Sequence, residues 1–210
     1  AGIMWASNGD TVLVGSGTYS GSGNVDINFF GKSIHLLSSS GSSNTTIDLN
    51  NDSRGFYFNS GEDTTSIVQG FNIRNGYVMQ NEGYIPEDYG YGGAVYIGGE
   101  SSPKFIDCRF EYNDSYYRGD AISIRDAGHP IFDDCYFYEN EHDSNEGSRA
   151  GGAVDVYRSN ATFRNTTFER NGTYCEYDGG ALYLEDNGDD DKSHVDIFNC
   201  QFLYNGDDCG

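Results

Sequence analysis

The sequence predicts an all-β solenoid, in which short parallel strands stack coil upon coil. The first observation is a frame that occurs four times, in the segments PKFIDCRFEYN, PIFDDCYFYEN, ATFRNTTFERN and VDIFNCQFLYN. The second is that each copy follows another short element, which reads in chain order GGAVYI, GDAISI, GGAVDV and GGALYL. Equivalent positions of the frame are 27, 31 and 34 residues apart, so the motif stays constant while the connections vary in length.

The element that precedes each frame has the alternation of a β-strand. Its apolar residues recur with a period of two, which favours a strand over a helix. The residues expected to face the core are Val95, Ile97, Ile122, Ile124, Val154, Val156, Leu182 and Leu184. The residues expected to face solvent are Tyr96, Ser123, Asp155 and Tyr183.

The frame itself predicts ladders of identical side chains, because stacked coils repeat about every 4.8 Å. Its aromatic slots hold Phe105, Phe132, Phe163 and Ile197, then Phe110, Phe137, Phe168 and Phe202. Another slot holds Cys108, Cys135, Thr166 and Cys200. Since a threonine takes the same place, we expect these thiols to be small buried fillers and not metal ligands. The closing asparagines, Asn113, Asn140, Asn171 and Asn205, are expected to form an internal amide ladder at a turn.

The segments before residue 92 predict diverged coils of the same kind. GDTVLVGSGTY, KSIHLLS, TTIDLN, GFYFN and SIVQGFNIRNG are short and rich in β-branched or aromatic residues. With the four clear repeats they indicate about seven coils. We therefore expect a single domain over residues 1–210, with diverged coils in 1–91 and clear repeats in 92–210.

The composition indicates a folded and very acidic protein. The 33 acidic and 12 basic side chains give a net charge of -21, which disfavours nucleic acid and anionic lipid as partners. An aromatic content of 15% with three prolines argues against disorder. The sequence has no apolar run long enough for a transmembrane helix, so membrane insertion is not expected. These features favour an extracellular or cell-surface location.

The alternating Gly-Gly-Ala-(Ile/Val/Leu) and Phe-x-x-Asn elements, clear over 92–205, resemble the repeats of chlamydial polymorphic outer-membrane proteins. The whole chain resembles the right-handed parallel β-helix that these share with pectate lyases. The resemblance implies an all-β, right-handed parallel β-helix of about seven coils. It is more specific for fold than for function, because this fold carries several activities.

One function that the resemblance implies is calcium-dependent cleavage of an acidic polysaccharide, with Arg or Lys as the base. Arg125 and Asp155, on neighbouring coils, are the candidate catalytic pair, and a solvated face of mixed polarity is the alternative explanation. Calcium prefers hard oxygen ligands. The candidate calcium ligands are Asp186, Asp189, Asp190 and Asp191 in one acidic stretch, and Asp107 and Asp134 on adjacent coils. Acidic loops without metal explain the same residues.

Two further cysteines predict a disulfide bond. Cys175 comes four residues after Asn171, and Cys209 four residues after Asn205, so both belong to the same turn of consecutive coils. Adjacent coils bring equivalent Cα atoms within the range that a disulfide tolerates. A Cys175–Cys209 bond would fit an oxidising, extracellular compartment.

Several Asn-x-Ser/Thr motifs predict N-linked glycosylation. Two of them, Asn113 and Asn171, belong to the buried amide ladder and are expected to stay unmodified. Asn165 shares the turn slot of Asp107, Asp134 and Asn199, so it is not among the predicted sites. The predicted sites are Asn44, Asn51 and Asn160, which lie in polar connecting segments. Outward tyrosines offer ring faces on which sugars could stack, although aromatic rungs also stabilise a sheet.

The chain begins with a short apolar lead and ends soon after an ordinary repeat, with no polar cap evident at either end. Ile3 and Trp5 are therefore predicted to mediate head-to-tail assembly into a filament, because open solenoid ends expose unpaired strand edges. The alternative is that residues 3–5 plug the first coil. The sequence thus predicts an extracellular structural or surface protein that self-assembles, with a polysaccharide lyase or a glycan-binding adhesin module as the alternative.

Overall fold

The fold was analysed in a computed structural model, which describes residues 2–79, 90–142, 152–173, 179–185 and 192–206. These residues form one four-residue helix and short β-strands. The helix is too short to cross a membrane. The elements are α1 Gly2–Trp5, β1 Thr11–Val14, β2 Gly17–Tyr19, β3 His35–Ser38, β4 Thr45–Asp48, β5 Phe56–Phe58, β6 Ile67–Gln69, β7 Asn72–Arg74, β8 Tyr77–Val78, β9 Val95–Ile97, β10 Lys104–Ile106, β11 Arg109–Glu111, β12 Asp114–Ser115, β13 Ile122–Arg125, β14 Ile131–Asp133, β15 Tyr136–Tyr138, β16 Glu141–His142, β17 Val154–Tyr157, β18 Asn160–Arg164, β19 Thr167–Glu169, β20 Gly172–Thr173, β21 Leu182–Glu185, β22 His194–Phe198 and β23 Gln201–Leu203.

The strands assemble into three long sheets in which consecutive coils pair in parallel. The first sheet has the order β1-β3-β6-β10-β14-β18-β22, and the second has the order β2-β4-β7-β11-β15-β19-β23. The third sheet has the order β21-β17-β13-β9-β5. Two small sheets, β8 with β12 and β16 with β20, lie at the turn after the second sheet. Seven strands in each of the first two sheets confirm the predicted seven coils, and the all-β parallel architecture is confirmed.

The strand register stacks the predicted aromatic slots on one another. Phe132 pairs with Phe105 and Phe163 in the first sheet, and Phe137 pairs with Phe110 and Phe168 in the second. The Phe132 and Phe163 ring centroids are 4.8 Å apart with nearly parallel planes. Such offset stacks add to the free energy gained by burying the rings. The phenylalanine ladders are therefore the centre of the core.

At the described corners of the clear coils, non-glycine residues adopt a left-handed backbone. Asp107, Asp134, Asn165 and Asn199 join the first sheet to the second, with φ between 48° and 56°. Tyr112, Glu139, Arg170 and Tyr204 follow the second sheet, and Glu100, Asp126 and Arg158 follow the third. Asn and Asp tolerate this conformation best, but tyrosine and arginine adopt it here too. Stacking thus gives the described corners of the clear coils the same backbone conformation, whichever residue stands there.

The predicted asparagine ladder is present inside the turn after the second sheet. Asn140 Nδ2 donates to Asn171 Oδ1 at 2.9 Å and to the carbonyl oxygen of Phe110 at 2.9 Å. Its Oδ1 accepts from both the backbone N–H and the Nδ2 of Asn113. The same pattern links Asn171 to Asn205. Each buried amide thus satisfies its neighbour and two backbone groups.

The cysteines of the ladder slot behave as the sequence predicts on the inner coils. Cys108 and Cys135 are buried free thiols, and Thr166 is equally buried in the same slot. Burial raises the pKa of Cys108 to about 12 and raises that of Cys135 as well, so neither is an available thiolate. Cys200, in the last coil, is free and half-buried.

One prediction about the third sheet is wrong. The inward residues of its inner strands are buried as expected, but Tyr96, Ser123 and Asp155 on the outward row are also buried, and Tyr183 is half-buried. The reason is a second layer of long side chains that lies over this row. Arg125 covers Asp155, and the guanidinium of Arg54 lies 5.4 Å from the ring centre of Tyr96. Alternation reports which side of a sheet a residue takes, not what covers that side.

The two ends of the described stack differ. At one end α1 lies over the first coil, with Ile3 packed against the core and Trp5 86% exposed. Lys32 Nζ donates to the carbonyl oxygen of Ile3 at 3.2 Å, which ties the helix to the next coil. At the other end Ile197 and Phe202 occupy core slots yet are 46% and 45% exposed, because β22 and β23 have a neighbour on one side only.

Candidate functional site

The outward side of the third sheet brings charged and aromatic side chains together. Register aligns Ser123 with Asp155, and Arg125 with Tyr157, on β13 and β17. The next strand, β21, adds Tyr183 beside Asp155 and Glu185 beside Tyr157. Tyr91 and Arg118, which precede the strands and pair with each other through a backbone bridge, contribute from the adjoining turn. We call Tyr91, Arg118, Arg125, Tyr157, Tyr183 and Glu185 the tyrosine–arginine face.

Arg125 is the centre of this face. Its guanidinium carbon lies 4.3 Å from the ring centre of Tyr91 and 4.3 Å from that of Tyr157. One guanidinium nitrogen donates to Asp155 Oδ2 at 2.9 Å. Cation–π contacts with two rings and an ion pair hold the planar group in one orientation. The arrangement is preorganised, so little side-chain entropy remains to be lost when a ligand binds.

Asp155 lies beneath Arg125 with no exposed surface. Its Oδ2 also accepts from Ser123 Oγ at 3.0 Å, whereas its Oδ1 has no hydrogen-bond partner among the described residues. Burial raises the pKa of Asp155, and the charge of Arg125 and the hydrogen bond from Ser123 oppose that rise. The carboxyl group therefore retains an unused acceptor next to a fixed cation.

Arg118 and Glu185 extend the face by one coil. Arg118 forms an ion pair with Glu185, and its guanidinium carbon lies 5.1 Å from the ring centre of Tyr183. Both side chains are partly exposed. Tyr91 stacks in turn on Tyr117, with ring centres 5.2 Å apart. The result is a surface of tyrosine rings interleaved with guanidinium and carboxylate groups.

A second buried carboxyl group, Asp120, begins the third-sheet segment of one coil. It stands where other coils have Gly93, Gly152 and Gly180, and it is 2% exposed. Its Oδ1 accepts from Ser115 Oγ at 3.3 Å, and its Oδ2 has no hydrogen-bond partner in the described part of the chain. Burial, and then the charge of nearby Asp114, raise its pKa well above the ordinary value.

The structure places the predicted site residues unequally. Arg125 and Asp155, predicted as a pair, are in direct contact. Asp107 accepts a hydrogen bond from Ser42 Oγ at 2.8 Å, and Asp107 and Asp134 line one open depression of about 290 Å³. Within the described ranges, no three His, Cys, Asp or Glu side chains gather as a metal site would require. The remaining predicted residues, Cys175, Cys209, Asp186, Asp189, Asp190 and Asp191, lie outside the described residues.

The predicted glycan acceptors are exposed. Asn44, Asn51 and Asn160 all present exposed side chains, while Asn113 and Asn171 are buried as expected. Asn165 is exposed as well, but its amide nitrogen donates to Asp133 Oδ1 at 3.2 Å. These placements are compatible with modification at the three predicted positions.

Two members of the face, Tyr91 and Arg118, were not identified from the sequence. They lie outside both repeated elements, in connections whose length varies from coil to coil. A weak signal existed, because Tyr91 and Arg118 each immediately precede a Gly-Gly-Ala or Gly-Asp-Ala element. The residue type at that position does not repeat from coil to coil, so a search for periodic patterns does not detect it.

Comparison with known proteins establishes the class of this chain. A family model described as a right-handed beta helix region matches residues 1–210. The chain therefore belongs to the right-handed β-helix family, as the stacked parallel strands require. No curated protein and no solved structure matches the sequence. The narrower likeness to chlamydial polymorphic outer-membrane proteins stays a prediction.

Proposed function

We propose that this chain is an extracellular surface protein that binds a neutral polysaccharide through the tyrosine–arginine face. The observation that carries the proposal is the guanidinium of Arg125, held between the rings of Tyr91 and Tyr157 above the buried carboxylate of Asp155. Tyr157 and Tyr183 are half-buried, so part of each ring stays open to the C–H side of a sugar, and each hydroxyl can hydrogen-bond to a sugar oxygen. Fixed charged groups between the rings can select the orientation of hydroxyls.

The charge of the chain favours a neutral ligand. A polyuronate must approach a body of net charge -21, which repels it at long range. A neutral glycan meets no such barrier. The face itself is close to balanced, because Arg125 pairs with Asp155 and Arg118 pairs with Glu185.

The same geometry favours binding over lyase chemistry. A base must reach a substrate proton within hydrogen-bond distance. Arg125, the base in the lyase hypothesis, donates to Asp155 and lies between the rings of Tyr91 and Tyr157, so its guanidinium is held as a donor and not as an acceptor for a substrate proton. The alternative, calcium-dependent cleavage, would instead require that the chain forms a product from an oligouronate.

Tyr157→Ala should weaken binding of a neutral oligosaccharide at least tenfold, because it removes a ring of the face and one of the two rings that orient Arg125. Titration calorimetry against cello-, xylo-, manno- and laminari-hexaose provides the measurement. Tyr204→Ala is the matched control, since Tyr204 is 84% exposed in the last coil and belongs to another turn.

Two results would contradict the proposal. One is the absence of saturable binding to any of these glycans, and the other is an equal loss in both tyrosine variants. Formation of unsaturated products from oligogalacturonate with calcium would instead support the lyase alternative. N-glycans on Asn44, Asn51 and Asn160, and calcium at Asp107 and Asp134, belong to the same extracellular proposal and are independent of this test.

A second candidate function is end-to-end assembly, which rests on the exposed core slots of the last coil together with Trp5. Ile197 and Phe202 present apolar surface at one end, and Trp5 presents it at the other. Burying these surfaces against each other would gain about 25 cal/mol for each Å² removed from water. The contact is heterologous, so it would propagate as a filament.

Trp5→Glu should convert such filaments into monomers, because it places a charge in the apolar contact. Analytical ultracentrifugation at high protein concentration measures this. Met79→Glu is the control, as Met79 is 59% exposed on the side of the stack. Ile3 is a poor probe, because it packs against the core and its replacement would damage the fold. A wild-type chain that sediments as a monomer would rule out assembly.

A further inference from the structure

In the ladder slots of the first two sheets, the first coils carry smaller core residues than the later ones. In the first sheet, Val12 and Leu36 occupy the ladder slot that Phe105 takes further along. In the second sheet, Ile47 and Ile73 occupy the slot that Phe110 takes. Replacing a stacked phenyl ring by a branched aliphatic side chain leaves volume that neighbouring side chains recover only in part. A cavity is therefore expected near this end of the solenoid.

The structure contains such a space, an open apolar pocket with a volume of about 340 Å³. Ile3 and Met4 of α1 contribute to its wall, and Tyr19 and Phe71 contribute aromatic rings. Its aliphatic lining residues are Val12, Val14, Val25, Ile27, Leu36 and Ile47. An enclosed apolar cavity of about 150 Å³ takes benzene. This open pocket has more than twice that volume, so it has room for a naphthalene ring system, and a further ring can extend through its open side.

The polar side chains that line the cavity each form at least one hydrogen bond. Asp26, the one charged residue of the lining, accepts from Ser53 Oγ at 3.0 Å and forms an ion pair with Arg54 at 3.4 Å. Asn24 donates to the carbonyl oxygen of Ser20, and Asn28 accepts from the backbone N–H of Phe30. The described lining therefore contains no cationic side chain that could neutralise an anionic ligand.

The geometry points to a binding site for a small, neutral, mainly apolar molecule in this first-coil cavity. The ligand gains by leaving water, and the cavity wall regains the contacts that the missing phenyl rings would supply. An anionic amphiphile is disfavoured by Asp26 and by the net charge of -21. The site lies on the first coils, remote in the coil order from the tyrosine–arginine face, so it is independent of the proposed glycan binding.

The test uses N-phenyl-1-naphthylamine, a neutral probe that fluoresces in apolar surroundings, with the intact chain. We expect saturable binding of one probe per chain and a rise in melting temperature. The matched ligand is 1-anilinonaphthalene-8-sulfonate, which has the same rings and a sulfonate, and which should bind at least tenfold more weakly. Trp5 is the single tryptophan and adjoins the cavity wall at Met4, so bound probe should quench its fluorescence by energy transfer.

Cavity-filling variants locate the site. Leu36→Phe and Ile47→Phe each introduce the ring that later coils carry in that slot, and each should weaken probe binding at least tenfold. Leu13→Phe is the matched control. Leu13 lies on β1 between Val12 and Val14, but its side chain is exposed and does not line the cavity. Phe202→Ser, at the far end, should leave probe binding unchanged.

The outcomes separate clearly. Loss of probe binding in the filled variants, with retention in Leu13→Phe and Phe202→Ser, supports the site. The absence of saturable binding to the wild-type chain would overturn it. So would full affinity in both filled variants, or loss of affinity in Phe202→Ser, which would assign the probe to the exposed last coil. If one filled variant fails to fold, the other variant and the quenching of Trp5 still decide the question.

Discussion

Replacing Asn140 with alanine is expected to lower the free energy of unfolding by about 3–5 kcal/mol, because two buried backbone groups lose their partners. The backbone N–H of Asn113 donates to Asn140 Oδ1, and the carbonyl oxygen of Phe110 accepts from its Nδ2. The side-chain amides of Asn113 and Asn171 lose a partner as well. None of these groups can turn to water, since Asn140 has no exposed surface.

Urea unfolding of Asn140→Ala measures this loss, and amide hydrogen exchange localises it. The Asn113 N–H should exchange much faster in the variant than in the wild-type chain. Asn44→Ala is the control, because Asn44 is exposed and its amide donates only to the carbonyl oxygen of Ser40 in the described contacts. A loss for Asn140→Ala no larger than for Asn44→Ala would mean that the ladder contributes little to stability.

Replacing Asp120 with asparagine should instead stabilise the chain at neutral pH. Burial and the charge of Asp114 raise the pKa of Asp120, so the folded state holds its proton more tightly than the unfolded state. Below the ordinary value of 3.8 both states are protonated, and the group costs nothing. Above that pH the unfolded chain ionises first, and wild-type stability falls until the folded pKa is passed. Each unit of raised pKa corresponds to about 1.4 kcal/mol.

We therefore expect the stability advantage of Asp120→Asn to grow from about pH 4 upward and to become constant above the raised pKa of the folded state. Unfolding free energies of both chains across this range provide the measurement. Asp155 also has a raised pKa, but it is present in both chains and cancels in the difference. Parallel curves for the two chains would contradict the prediction. Asp52→Asn, at an exposed position, should give such parallel curves.

Much of the fold could be predicted from the sequence because the repeat is encoded in single slots. Phe110, Phe137 and Phe168 recur at one offset in the frame, and parallel pairing then forces them into one stack. The asparagines follow from the same reasoning, since a buried amide needs partners and the adjacent coil supplies an identical one. The coil number followed from counting strands. These features depend on which residue types recur at fixed offsets along the chain, and these offsets can be read directly from the sequence.

The candidate site was predictable only in part. Arg125 and Asp155 were identified because both stand at outward positions of neighbouring strands. The burial of Asp155, and the enclosure of Arg125 between two rings, were not identified. They depend on Tyr91, which belongs to a connection of variable length, and on a second layer of side chains above the sheet.

The sequence by itself determined the stacking of like residues in seven coils. A fixed frame with strand periodicity buries its phenylalanines and asparagines when the coils stack in parallel with identical slots aligned. The tertiary structure alone decided what covers each surface and where volume is left over. The left-handed corners, the sandwich around Arg125 and the cavity beneath Ile3 all depend on distances between side chains from different coils. Such distances follow from how the coils close and pack, and a local pattern contains no information about them.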